Sequence, residues 1–256
     1  MRRYPGSAGV FGDNAREKAV TVTDERYVNQ LGHERSHMTE WIDLTQPITE
    51  ETPVRPLHVK PTFEDYMTIA EDGTNSTLLH LETHVGTHMD APAHFLPAEE
   101  HRTIDQITPE EMVAEGVVLD FTYKEPNTAI GERDLREQLA ETELSAGEYV
   151  ILNCGNEVSD TDRYLLEYVH LDESAAEFLR EREIACVATD ALNVDRSGAS
   201  LAEHVVHHTL LPADILIVEG LSGLDRVPAG RVDVICTPLP YVGRDGSQVR
   251  FLVRPQ

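Results

Sequence analysis

At 256 residues the chain is long enough for one domain with a substantial buried core, and its 40% hydrophobic content excludes a disordered chain. With 46 Asp and Glu against 21 Lys and Arg, the formal net charge of -25 repels nucleic acid and anionic membranes. No apolar run approaches the roughly 18 residues of a membrane span. The opening MRRYPGSAGVFGDN lacks the apolar stretch of a signal peptide, so a cytoplasmic protein is expected. Lysine occurs only at Lys18, Lys60 and Lys124. An acidic, lysine-poor surface on an ordinary core predicts a salt-loving source, since concentrated salt screens the repulsion within a few ångströms. Cys154, Cys186 and Cys236 stand far apart in apolar segments and are expected to be buried free thiols.

In chain order, residues 1–37 are polar and without period, and are expected to form a flexible arm before a single domain over 38–256. Strands are predicted at Trp41–Ile48, Thr77–His84, Val117–Thr122, Tyr149–Cys154, Ala185–Ala191, Ile215–Glu219, Val232–Pro238 and Val249–Val253, from β-branched and apolar runs between turn residues. Helices are predicted at Glu132–Glu141, Ser174–Glu183 and Leu201–Leu211. Ser200 with Glu203, and Ser174 with Glu177, have the spacing of capping boxes, and Pro212 ends the last helix. This alternation predicts an α/β fold, a mixed β-sheet core with packed helices.

The chemistry concentrates in HVGTHMDAPAHF, which puts His84, His88, Asp90 and His94 within eleven residues of a chain with only 12 His. Imidazole and carboxylate without cysteine suit zinc, manganese or iron(II) in a catalytic rather than a structural site. Val85, Gly86 and Thr87 disfavour a helix between His84 and His88. His84 is therefore expected at a strand end, with a turn at Gly86 bringing His88 and Asp90 to the same ion. Pro92 keeps Ala91 out of the α region and is expected to hold the segment extended into His94.

The pattern H-x-G-T-H-x-D-x-P-x-H resembles the signature of the cyclase-like metal hydrolases, which include bacterial kynurenine formamidase (arylformamidase) and isatin hydrolase. IDLTQPITEETPVRP and HHTLLPADILIVEGL resemble that family's opening segment and its second metal-binding segment, so the resemblance runs from about Trp41 to the C-terminus. It implies a swivelling β/α/β type of domain and a homodimer or homotetramer. It implies His84, His88 and Asp90 as metal ligands and His94 as the catalytic acid/base. It adds His207 and Glu219, twelve residues apart, as the remaining ligands, and leaves His204 and His208 as bystanders. Glu219 closes the apolar run ILIVEGL, where a carboxylate is costly to bury without a partner.

Three imidazoles and two carboxylates are enough for one or two divalent ions, Zn or Mn, with Asp90 suited to bridge them. Such a site acidifies bound water to give hydroxide at neutral pH, with His94 carrying protons to the leaving amine. The implied reaction is hydrolysis of a small-molecule amide, foremost an N-formyl aryl amide such as N-formylkynurenine. A cyclic amide or lactone of the isatin type is the alternative, and a metal-binding protein without catalysis a more remote one. Relatives acting on N-formylkynurenine have T-P-V-W-P where this chain has TPVRP, with Arg55 in place of the pocket tryptophan. Arg55 is expected to stack on a substrate ring or pair with its carboxylate, or else to be a surface residue. Tyr66, Phe95 and Tyr241 are further candidate pocket aromatics.

Overall fold

The computed structural model describes residues 40–55, 58–140, 142–156 and 161–256; the predicted arm over 1–37 lies outside them. The twelve strands in chain order are β1 (Ile42–Asp43), β2 (Thr62–Met67), β3 (Ser76–His80), β4 (His88–Asp90), β5 (Val113–Asp120), β6 (Ala129–Ile130), β7 (Tyr149–Asn153), β8 (His170–Leu171), β9 (Cys186–Thr189), β10 (Leu216–Glu219), β11 (Gly230–Pro238) and β12 (Gly246–Pro255). Eight of them form one sheet in the order β1-β12-β11-β5-β7-β9-β10-β4, and β4 also pairs with β12. The sheet therefore closes into a barrel-like ring with β1 outside it. β5, β7, β9 and β10 run parallel, and their near-continuous apolar sequences, YVILN in β7 above all, suit strands buried on both faces.

The period of two along the strands sorts the core into two layers. Tyr149 and Ile151 of β7 join Met89, Val118, Val218, Val234 and Phe251 in one cluster. Val150 and Leu152 face the other way, onto Leu135 of α1 (Glu132–Leu139), Phe178 and Leu179 of α2 (Glu173–Arg180), and Val206 and Leu210 of α3 (Val205–Leu210). The mixed sheet with packed helices is the architecture the sequence predicts. All three cysteines are free and buried. Among the described residues no helix is long and apolar enough to cross a membrane.

Several elements differ from expectation for local reasons. The strand predicted over Trp41–Ile48 shrinks to two residues, because Thr45 turns away to bridge Leu221. The capping box predicted from Ser174 gives way to Asp172, whose carboxylate accepts from the Ala175 N–H at 3.0 Å while Ser174 hydroxyl donates to it. The Ser200–Glu203 box forms, with the Ser200 N–H donating to Glu203 at 2.9 Å, but it opens only a short 3-10 turn, Leu201–Glu203. The helix predicted over Leu201–Leu211 breaks at His204 (φ -76°, ψ 70°) and restarts as α3. The buried Asp195 carboxylate, from a preceding loop, accepts from the Val206 and His207 N–H groups at 2.8 and 3.2 Å and caps that new start. The hairpin of β2 and β3, exposed along nearly its whole length, includes a strand at Thr62–Met67 that the sequence, without clear alternation, did not suggest.

Candidate metal centre and active site

Three residues of strand assemble most of the site. β4 pairs on both edges, so His88 stands opposite Glu219 on β10 while Asp90 stands opposite Ile217 and Gly246. His88 and Asp90, two apart on extended backbone, project to the same side. His84 lies in the turn before β4, not at the end of a strand, because β3 already stops at His80. That turn is made by Gly86 at φ 68°, and it packs so tightly on Gly220 (φ 72°) that a Cβ there would stand 2.6 Å from the Gly86 carbonyl oxygen. Ala91 is extended as Pro92 requires, yet Pro92–His94 then coils into a 3-10 turn rather than running on extended. The turn carries His94 back over the cluster, its ring centroid 3.9 Å from that of His84.

His88 and His207 are both oriented from behind. His88 Nδ1 donates to the Gly86 carbonyl at 2.9 Å and His207 Nδ1 donates to Asp195 at 2.6 Å. In the neutral rings this leaves the Nε2 lone pairs facing inward. His88 Nε2 is 3.5 Å from Asp90 Oδ1 and 3.6 Å from Glu219 Oε2. His207 Nε2 is 3.5 Å from Asp90 Oδ2 and 3.7 Å from Glu219 Oε1. Asp90 is fully buried, and its Oδ2 has no hydrogen-bond partner. Glu219 Oε1 accepts the Val194 N–H at 2.9 Å. The fold thus brings together all five residues expected to hold metal, with His94 beside them.

Electrostatics point the same way. Burial drives His88 down to about 4, leaving a neutral ring. Burial opposes protonation of His84 and His207 too, but Asp90 and Asp245 raise the first to about 10, and hydrogen bonds to Asp195 and Asp90 raise the second to about 9. Burial and the Asp90 charge push Glu219 up to about 8. Despite its burial, Asp90 is held well below the usual carboxylate range by His94, His84 and His207. Without a cation, then, the cluster gathers protons between its buried carboxylates. A divalent ion fits that donor set and would displace them, since only deprotonated groups ligate. Burial lowers His94, which favours the uncharged ring that can take up a proton.

The sequence reading missed two carboxylates. Asp245 accepts from His84 Nε2 at 2.6 Å and lies 3.6 Å from His94 Nδ1. Asp195 orients His207. Both come from loops remote in sequence, and neither has a spacing that would reveal it. A cavity of about 260 Å³ opens onto His84, His88, His94 and Glu219. Phe95 and Arg55 line it. His204 lines it as well, because the break in the helix turns it inward. Tyr66 is instead 70% exposed on β2, and Tyr241 borders a separate cleft with Leu79 and Gln248.

Residues 42–196 match the family described as "Putative cyclase". Kynurenine formamidase of Salinibacter ruber is 28% identical over 215 residues, spanning 83% of this chain and 96% of that enzyme. Kynurenine formamidase of Bacillus anthracis is 28% identical over 218 residues, spanning 85% and 98%. Isatin hydrolase A from Labrenzia aggregata, bound to benzyl benzoate, shares the fold at a TM-score of 0.78 and 21% identity, across 89% of this chain and 98% of that one. A structure described as a potential metal-dependent hydrolase with cyclase activity gives a TM-score of 0.67 at 29% identity, across 84% and 97%. The inward-facing imidazoles and buried carboxylates, and a family match over more than half of its length, agree that this chain belongs to the cyclase family and is a metal-dependent hydrolase.

Proposed function

We propose that the protein hydrolyses the N-formyl amide of an aromatic amine, as the name kynurenine formamidase describes for its relatives, using one or two divalent ions held by His84, His88, Asp90, His207 and Glu219. The observation that carries this reading is the pair of back-bonded histidines, His88 and His207, whose Nε2 atoms face two buried carboxylates, one with an orphaned oxygen. The donor set, nitrogen and oxygen without thiolate, suits zinc and manganese alike. When bound, the ion supplies Lewis-acid polarisation of the carbonyl and acidified water. The chain supplies the rest. Water adds to the carbonyl carbon, the C–N bond breaks, and formate and amine leave. His94, neutral and at the cavity wall, takes the proton from the attacking water and returns it to the departing nitrogen. Phe95, stacked 4.6 Å from His207 with an interplanar angle of 26°, gives an aryl group a flat neighbour.

A homodimer or homotetramer belongs to the same proposal. It is supported by the β2–β3 hairpin, which leaves Tyr66, Leu78 and Leu79 open to solvent, and light scattering on the purified protein tests it. The catalytic reading is tested by formate release from N-formylkynurenine and formanilide, and by ring opening of isatin, before and after chelation and with zinc or manganese restored. We expect formate release that chelation abolishes and metal restores. Undiminished hydrolysis by metal-stripped protein would refute it, and turnover of isatin alone would make the cyclic amide the substrate.

A further inference from the structure

The cavity has polar groups that the hydrolytic machinery leaves unused. His204 is 1% exposed, lines the cavity, and has no hydrogen-bond partner at either ring nitrogen. An imidazole carries at least one N–H donor that a ligand in the cavity can accept. A buried imidazole with both nitrogens unpaired costs stability unless a ligand or water completes it. Arg55 lines the same cavity and forms no ion pair with a carboxylate among the described residues. It lies close enough to His204, Glu219 and Tyr168 for its charge to act on all three. In a chain of net charge -25 an unpaired guanidinium in a cavity is conspicuous. Glu82, an acid beside this cavity, is engaged by His58 at 2.7 Å. Of the remaining lining, Phe95, Leu192 and Leu201 are apolar, while His58 and Asn193 are polar.

We propose that Arg55 and His204 form a carboxylate-binding wall, so that the substrate is an amide with an apolar, ring-bearing body and an anionic carboxylate. The guanidinium supplies charge and paired donors, and the imidazole N–H supplies a further donor to the same group. Phe95, Leu192 and Leu201 cover the ring. This rests on the amide-hydrolase reading above and narrows its substrate class.

The test compares formanilide with N-formyl-2-aminobenzoate and N-formyl-3-aminobenzoate on metal-loaded wild type, His204→Leu, Arg55→Met and Arg55→Lys. We expect wild type to favour the better acid over formanilide at least tenfold in kcat/KM, chiefly through KM. His204→Leu and Arg55→Met should each cut that ratio about tenfold or more, and Arg55→Lys should retain part of it. A ratio near one in wild type, or unchanged in both variants, overturns the inference. Calorimetry with benzoate and benzamide gives a readout without turnover. Benzoate should bind wild type more tightly than benzamide, and both variants should lose the difference at unchanged metal content. If both variants keep it, the carboxylate sits on the metal and the inference fails. Formanilide turnover without acid preference defeats this inference alone. Variant-sensitive benzoate binding with no amide hydrolysed defeats the proposed function alone.

Discussion

Replacing Asp195 with asparagine probes how the site is held without touching a proposed ligand. The Asp195 carboxylate is 1% exposed and accepts three N–H groups, from His207 Nδ1 at 2.6 Å and from the Val206 and His207 backbone at 2.8 and 3.2 Å. Asparagine keeps one accepting oxygen, which the backbone of α3 claims, and turns an NH₂ toward the ring. His207 must then present a lone pair at Nδ1 and put its proton on Nε2, the atom that faces Asp90 and Glu219. A protonated nitrogen cannot ligate. Loss of such a supporting partner lowers metal affinity by about 10- to 100-fold, or about 1.4 to 2.7 kcal/mol. Asp195→Ala does more. It strands two buried backbone N–H groups, of Val206 and His207, at about 1–3 kcal/mol each, a large share of an ordinary stability of about 5–15 kcal/mol. Competition against a chromogenic chelator measures the affinity, and melting in EDTA separates it from stability. An asparagine variant that holds metal as tightly as wild type would refute this account of His207.

His94→Ala should lower kcat by a factor of order 10² to 10⁴ with metal content near wild type; loss of the metal by elemental analysis would instead make His94 a ligand. Stability should rise steeply from low to molar potassium chloride, because a formal charge of -25 is self-repulsive and screenable. A flat or falling melting temperature would remove the proposed adaptation to salt. Asp190 gives a pH signature: burial outweighs its hydrogen bonds from Asn156 and Cys154 and pushes it up to about 7. Its unfolded value is about 3.9, so between about pH 4 and 7 the folded state holds a proton that the unfolded chain has lost. Stability contributed by this group is therefore full at the acid end and falls as pH rises. Asp190→Asn should flatten that slope in chemical denaturation of metal-loaded protein, and an unchanged slope would refute the assignment.

What the sequence revealed was what lies close together in it. His84, His88, Asp90 and His94 declared themselves because one turn and one short strand gather them, and Gly86 and Pro92 marked where the backbone bends. The parallel strands were legible as apolar runs, YVILN and LIVE among them. His207 and Glu219 became legible only through spacing shared with a family. Asp195 and Asp245 had no such signal: each is an ordinary loop acid until the fold sets it against an imidazole. The helix break at His204 was hidden for the same reason, since the cap that restarts α3 comes from nine residues before the break. The β2–β3 hairpin escaped because exposed strands need no hydrophobic alternation.

β4 is three residues long, yet it is the seam at which the ring of strands closes, bonded to β10 on one side and β12 on the other. The same three residues carry His88 and Asp90, and the facing strand carries Glu219. With the ligands proposed above, chelation and closure become a single thermodynamic event. Each ion taken up adds its binding free energy to the seam, and each transient parting of the seam scatters the donors. Metal uptake is therefore expected to slow amide hydrogen exchange along the seam. The working site is in this sense a clasp, and the barrel is what it fastens.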